Sequence, residues 1–195
     1  MTDHDGLAER GRALEENYFR QRDSELIETQ RLATVAERAR DEMGRRTGID
    51  DLAMLTELQV VGFTPETVTL LPVVPVLEMA WAEGGITPAE RGLIVEFARS
   101  RGIEEHGVAD EQLTAWIARR PDETVFQCAR RLIAAMLSSG VSQAVGRMTA
   151  SDLVAYCEKI AAASGGIFGL RVGRISAEER VLLSRLASDL ESGEA

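Results

Sequence analysis

The first 48 residues carry few apolar positions, and those few recur at helical spacing. Leu7, Leu14, Tyr18, Leu26, Leu32, Val35, Ala36, Ala39 and Met43 form one narrow stripe on an otherwise charged segment. That pattern predicts an amphipathic helix. The stripe is too thin to make a core of its own, so the helix must lie on its own domain, on a second copy or on a partner. Its heptads are too irregular for a regular coiled coil. Gly44 to Gly48 reads as a break, which divides the chain into an N-terminal amphipathic extension, 1–48, and a helical domain, 49–195.

Downstream, the apolar pattern keeps a helical period and is punctuated by Gly and Pro. Asp50 to Val61 predicts a short helix ended by Gly62, and Thr64-Pro65-Glu66 predicts the start of another. Pro72 and Pro75 interrupt the next segment, so one helix should stop near Leu71 and a second run from about Val73 to Glu83. This second helix is apolar almost all round, the mark of a central buried element. Further helices are predicted over Pro88–Arg101, over Asp110–Arg119 with Leu113, Trp116 and Ile117 on one face, and over Asp122–Leu137 behind Pro121. Val141 to Arg147 is ambiguous. Thr149-Ala150-Ser151-Asp152 opens a helix to about Ala163, and a Gly-rich loop, Gly165 to Arg174, leads into a last helix, Ala177 to Leu190. No segment reads as a strand, so the expected class is all-α.

One pattern occurs twice. Ile86-Thr87-Pro88-Ala89-Glu90-Arg91 returns as Ile175-Ser176-Ala177-Glu178-Glu179-Arg180. Each copy is a capping box: the hydroxyl accepts from a free backbone N–H, and the Glu three residues on reaches back to another. Each also comes after a helix-like run ending in two glycines, Ala82-Glu83-Gly84-Gly85 and Ala163-Ser164-Gly165-Gly166. The expected architecture is a bundle of two pseudo-repeated helix-turn-helix units plus the long N-terminal helix.

At this joint, Leu77-Glu78-Met79-Ala80-Trp81-Ala82-Glu83-Gly84-Gly85-Ile86-Thr87-Pro88-Ala89-Glu90 resembles the signature of the tellurite-resistance TerB-like helical domain, over about residues 64–190. The resemblance implies an all-α fold of repeated helix pairs in a bacterial cytoplasmic protein. It also implies a link to tellurite and stress resistance and, as proposed for some members, an acidic metal-binding surface. The family's Asp is Glu83 in the first copy and Ser164 in the second, and Ile167 to Arg174 are extra. Both departures weaken a carried-over metal site.

Composition narrows the chemistry. Apolar residues are 45% of the 195, enough for a core, and aromatics only 5%, which favours helix over sheet. A net charge of −10 argues against a nucleic-acid partner, whose phosphates it would repel. Cys128 and Cys157 form no C-x-x-C and read as small core side chains. Met1-Thr2-Asp3-His4-Asp5 is unlike a signal peptide. The most apolar run, Leu70 to Ala82, is too short to span a bilayer and holds Pro72, Pro75 and Glu78. The expectation is a soluble, cytoplasmic protein.

Candidate chemistry is thin. Gly84, Ile86 and Glu90 match the spacing of an EF-hand loop, but Met79 and Trp81 occupy ligand positions and offer no oxygen. A looser acidic metal site would use Glu83, Glu90 and Glu179; the competing reading is that Glu90 and Glu179 cap helices. His106 beside Glu104 and Glu105 is either a metal ligand or a solvated loop residue. Arg171 and Arg174 could attract an anion, while Phe168 and Leu170 either enter the core or form a contact patch. The pairs Arg45-Arg46, Arg119-Arg120 and Arg130-Arg131 read as solvated helix faces. No catalytic residue and no cofactor are expected. The leading expectation is a non-enzymatic interaction module, binding a protein partner or itself, with Leu14, Tyr18, Phe19, Leu26, Phe168 and Leu170 as contact candidates. The alternative is a metal-ion-binding or stress-response protein using Glu83, Glu90 and Glu179.

Overall fold

Ser and Thr side chains line the long first helix and return hydrogen bonds to it. In α1, Asp3–Thr47, the hydroxyls of Ser24, Thr29 and Thr34 donate to the carbonyls four residues back, so these poor helix formers stay inside the helical ladder. A computed structural model describes residues 3–82, 84–138 and 150–164, together with 181, 184 and 188, with side chains described from Asn17 onward. The chain divides into two units, Met1–Ala39 and Arg40–Ala195.

α1 ends within the expected break, Gly44 to Gly48: it continues through Gly44 and stops at Thr47, with Gly48 at φ 73°. The reason is packing. A Cβ at Gly44 would lie 3.0 Å from the Ile49 carbonyl oxygen and 3.2 Å from Leu55 Cδ1. Here glycine admits a close neighbour instead of ending the helix. Thr47 makes the turn after α1. Its hydroxyl donates to the Met43 carbonyl at 2.7 Å and accepts from the Ile49 N–H at 3.2 Å.

Helix α2, Leu52–Val60, starts at Asp51, whose carboxylate accepts from the Ala53 and Met54 N–H groups. It closes on Gly62, at φ 94°, with the Phe63 N–H donating to the Leu58 carbonyl at 2.9 Å. This is the left-handed glycine cap that leaves few helix carbonyls unpaired. Thr64 and Thr67 then bond each other in a turn, the Thr64 N–H donating to the Thr67 hydroxyl at 2.8 Å. The α-helix expected from Thr64 is instead a 3-10 segment, Val68–Val73. Pro72 lacks the N–H that an α-helix would need at that position. Helix α3, Val74–Ala80, comes next with Pro75 in its first turn, and it stops three residues short of the expected Glu83. Every residue from Leu70 to Ala80 is buried.

Four helices surround this stretch: α4, Pro88–Ser100; α5, Val108–Ala118; α6, Glu123–Ser138; and α7, Ala150–Ser164. α3 packs against α4, α6 and α7, and the 3-10 segment packs against α4, α5 and α6. Two aromatic clusters tie them together. Trp81 Nε1 donates to the Trp116 carbonyl at 3.0 Å, and the Trp116 ring meets Phe63 edge-on with centroids 5.7 Å apart. Phe97 on α4 packs against Tyr156 on α7 at 4.3 Å, and the Tyr156 hydroxyl donates to the Leu93 carbonyl. The fold is all-α: among the described residues there is no strand, and none of the helices is long and apolar enough to cross a membrane.

Candidate interaction surface

In α1, residues 17–39 hold six large apolar side chains with more than half of their surface in solvent: Tyr18 58%, Phe19 62%, Leu26 58%, Ile27 65%, Leu32 58% and Val35 57%. Three were expected as contact residues, Tyr18, Phe19 and Leu26; Ile27, Leu32 and Val35 were not. The Leu14 side chain, Phe168 and Leu170 lie outside the described residues. Tyr18 and Phe19 meet edge-on with centroids 5.9 Å apart, and Arg22 lies 5.9 Å from the Tyr18 ring. The charges of this segment balance: Arg20, Arg22, Arg31 and Arg38 against Asp23, Glu25, Glu28 and Glu37. It is a neutral segment in a strongly acidic chain.

The helix-turn-helix joint is built as a cap. Thr87 Oγ1 accepts from the Glu90 N–H at 3.3 Å, and Glu90 Oε2 accepts from the Thr87 N–H at 2.7 Å. Glu90 is 2% exposed. Glu83, Glu179 and the second capping box lie outside the described residues. Among the described residues no group of three or more His, Cys, Asp or Glu is placed to hold a metal ion. Thr87→Ala is expected to lower stability by about 1 kcal/mol. An unchanged urea midpoint would show that the capping box contributes nothing to the fold.

The connector residues close a loop. His106 sits at φ 61°, and its N–H donates to Asp110 Oδ2 at 3.0 Å. Arg99 reaches Asp110 at 2.7 Å and the Ile103 carbonyl at 2.8 Å. The His106 N–H and then Arg99 hold the Asp110 carboxyl below its ordinary range. The His106 side chain is exposed, as are Glu104 and Glu105.

One arginine pair departs from expectation. Arg131 is exposed and pairs with Glu57, and Arg45 and Arg46 share Glu42 at the surface. Arg130, however, is buried and pairs with buried Glu78 on α3. The period of α6 explains it. Arg130 lies four residues after Phe126 and three before Ile133, both fully buried, so all three share the inward face. Burial pushes the Glu78 carboxyl above its ordinary value, with Arg130 opposing. The signal in the sequence was Glu78 itself: a carboxylate inside the most apolar run, with no basic residue one turn away on its own helix, requires a cation from another helix. Glu78 also faces Cys157 on α7, whose thiol burial pushes far up; Cys128 is pushed to about 11 by burial alone. Both thiols are therefore inert core side chains.

These features define an all-helical fold whose first helix leaves large apolar side chains exposed. Comparison with models of protein families, with curated proteins and with solved structures finds no match for this chain.

Proposed function

We propose that the chain is a non-enzymatic interaction module that acts through protein–protein contacts, with the exposed apolar residues of α1 as its contact surface. The observation that carries this reading is the set Tyr18, Phe19, Leu26, Ile27, Leu32 and Val35, each more than half exposed on one helix. Leaving six such side chains in water is unfavourable by about 1 kcal/mol or more apiece relative to burial, and a partner that covers them recovers that energy. The resemblance to the TerB-like joint supports a scaffold role for the rest: Thr87 and Glu90 are consumed in capping and Glu78 in a buried ion pair.

The test uses the full chain and a variant with Tyr18, Phe19, Leu26 and Ile27 changed to Ser. A protein captured from native lysate at modest salt, identified by quantitative mass spectrometry, is expected to lose affinity by roughly tenfold or more in the variant, since aromatic anchors each contribute about 2 kcal/mol. The melting temperature should stay unchanged. Equal capture by both chains overturns the assignment.

A further inference from the structure

Where α1 gives way to α2, the chain forms a hollow against the end of α6. Gly48, at φ 73°, turns the backbone there and brings Ile49, Asp50 and Asp51 beside Ala135 and Met136. The hollow measures about 250 Å³. Buried Ile49 and Met136, with half-buried Met54, make its wall apolar, and Asp50 and Asp51 are its exposed residues. Methionine thioethers are unbranched and polarisable, so such a wall adapts to an irregular ligand. The volume lies just below the ~300–1,000 Å³ of pockets for drug-sized ligands. Its occupant is therefore a single ring or a short alkyl chain.

The charges around the hollow call for a cation. Among the described residues neither Asp50 nor Asp51 pairs with a basic side chain. The basic residues nearest in sequence, Arg45 and Arg46, are bonded to Glu42 and do not line the hollow. Asp51 caps α2 through Oδ1 alone, which accepts from the Ala53 and Met54 N–H groups. Its Oδ2 and both oxygens of Asp50 remain for a ligand. Two helices also end here, α1 at Thr47 and α6 at Ser138, and the partial negative charge of a helix C-terminus favours a cation. The opposing N-terminus of α2 is answered by Asp51 itself. A bare metal ion is poorly served, since two carboxylates fall well short of the roughly six to eight oxygens of a calcium site, and thioethers are soft ligands. We propose that this hollow binds a small organic ammonium ion, with its apolar body against Ile49, Met54 and Met136 and its charge at Asp50 and Asp51.

The full chain with isotope-labelled methionine methyl groups tests this by NMR, and Met54→Leu identifies the Met54 signal. Phenethylammonium, at neutral pH and physiological salt, should move that signal saturably. Phenethyl alcohol keeps the ring and loses the charge; it should bind roughly tenfold more weakly or worse, because hydrogen bonds between charged groups are the stronger ones. Ethylammonium keeps the charge and loses the ring, and should also bind more weakly. Asp50→Asn with Asp51→Asn should cost roughly tenfold in affinity for phenethylammonium. That variant keeps its fold, since Asn caps a helix as well as Asp does. A Met54 signal that stays still overturns the proposal. Equal binding of the alcohol overturns it too and makes the hollow a plain apolar recess, as does binding that survives the double substitution. Calcium that moves Met54 and displaces phenethylammonium assigns the carboxylates to a metal and overturns it as well. Residues 17–39 of α1 take no part, so none of these outcomes touches the reading of the α1 surface.

Discussion

Arg130→Met is expected to destabilise the fold by about 3–5 kcal/mol near neutral pH, because it strands the Glu78 carboxylate in the core. The size of the effect comes from the uncompensated charge, not from a large net value of the pair. Replacing both partners, Glu78→Leu with Arg130→Met, should therefore recover most of the loss. The pH dependence is set by the sign of the Glu78 shift. Its carboxyl lies above the ordinary 4.5, chiefly through burial, and Arg130 is the main opposing influence. Without Arg130 it climbs further. A carboxyl whose pKa is higher in the folded state stabilises the fold below its unfolded pKa and loses that contribution as pH rises through the folded one. The deficit of Arg130→Met should thus be largest near neutrality and shrink on acidification. Glu42, Glu66, Asp110 and Asp122 are shifted downward and lose stability on acidification, but they do so in both proteins and cancel from the difference. Urea unfolding of the two chains at pH 7 and pH 5 measures this directly. An equal deficit at both would sink the account of Glu78.

Phe97→Ala should cost about 3–5 kcal/mol. The ring is 1% exposed, packs against Tyr156 and carries the Arg101 guanidinium 5.0 Å from its centroid. Its loss opens a cavity between α4 and α7. It also leaves the Tyr156 ring without its tilted partner and Arg101 without its aromatic face. For a chain of this length the melting temperature should fall by roughly 10 °C. Phe97→Leu keeps most of the volume and should lose less than half as much. If the two substitutions destabilise equally, the aromatic contacts rather than the volume dominate.

What could be read from the residues was local. Thr87 with Glu90 and the glycine at 62 act on neighbours within a turn, so their roles emerge from spacing, and the helices they bound lie within a few residues of expectation. The buried stretch before Ala80 was legible because it is apolar on every side. Which of Gly44 and Gly48 ends α1 was not legible, for the opposite reason. Only the approach of Ile49 and Leu55 distinguishes a glycine that admits a neighbour from one that ends a helix. The Glu78–Arg130 pair spans 52 residues, and no periodicity links such positions. Of the exposed apolar residues, Tyr18, Phe19 and Leu26 stood out because they interrupt a charged segment. Leu52 and Val60 did not, since α2 is apolar on several sides and its pattern gives no sign of which side meets the core.

Helix α3 has seven residues, about half the length at which an isolated helix becomes even marginally stable in water. It exists because α4, α6 and α7 enclose it. Its backbone amides should accordingly lie among the slowest in the chain to exchange with deuterated solvent, and they should share one protection free energy equal to that of global unfolding. A helix that holds no stability of its own thus becomes the most faithful reporter of whether the remainder is intact.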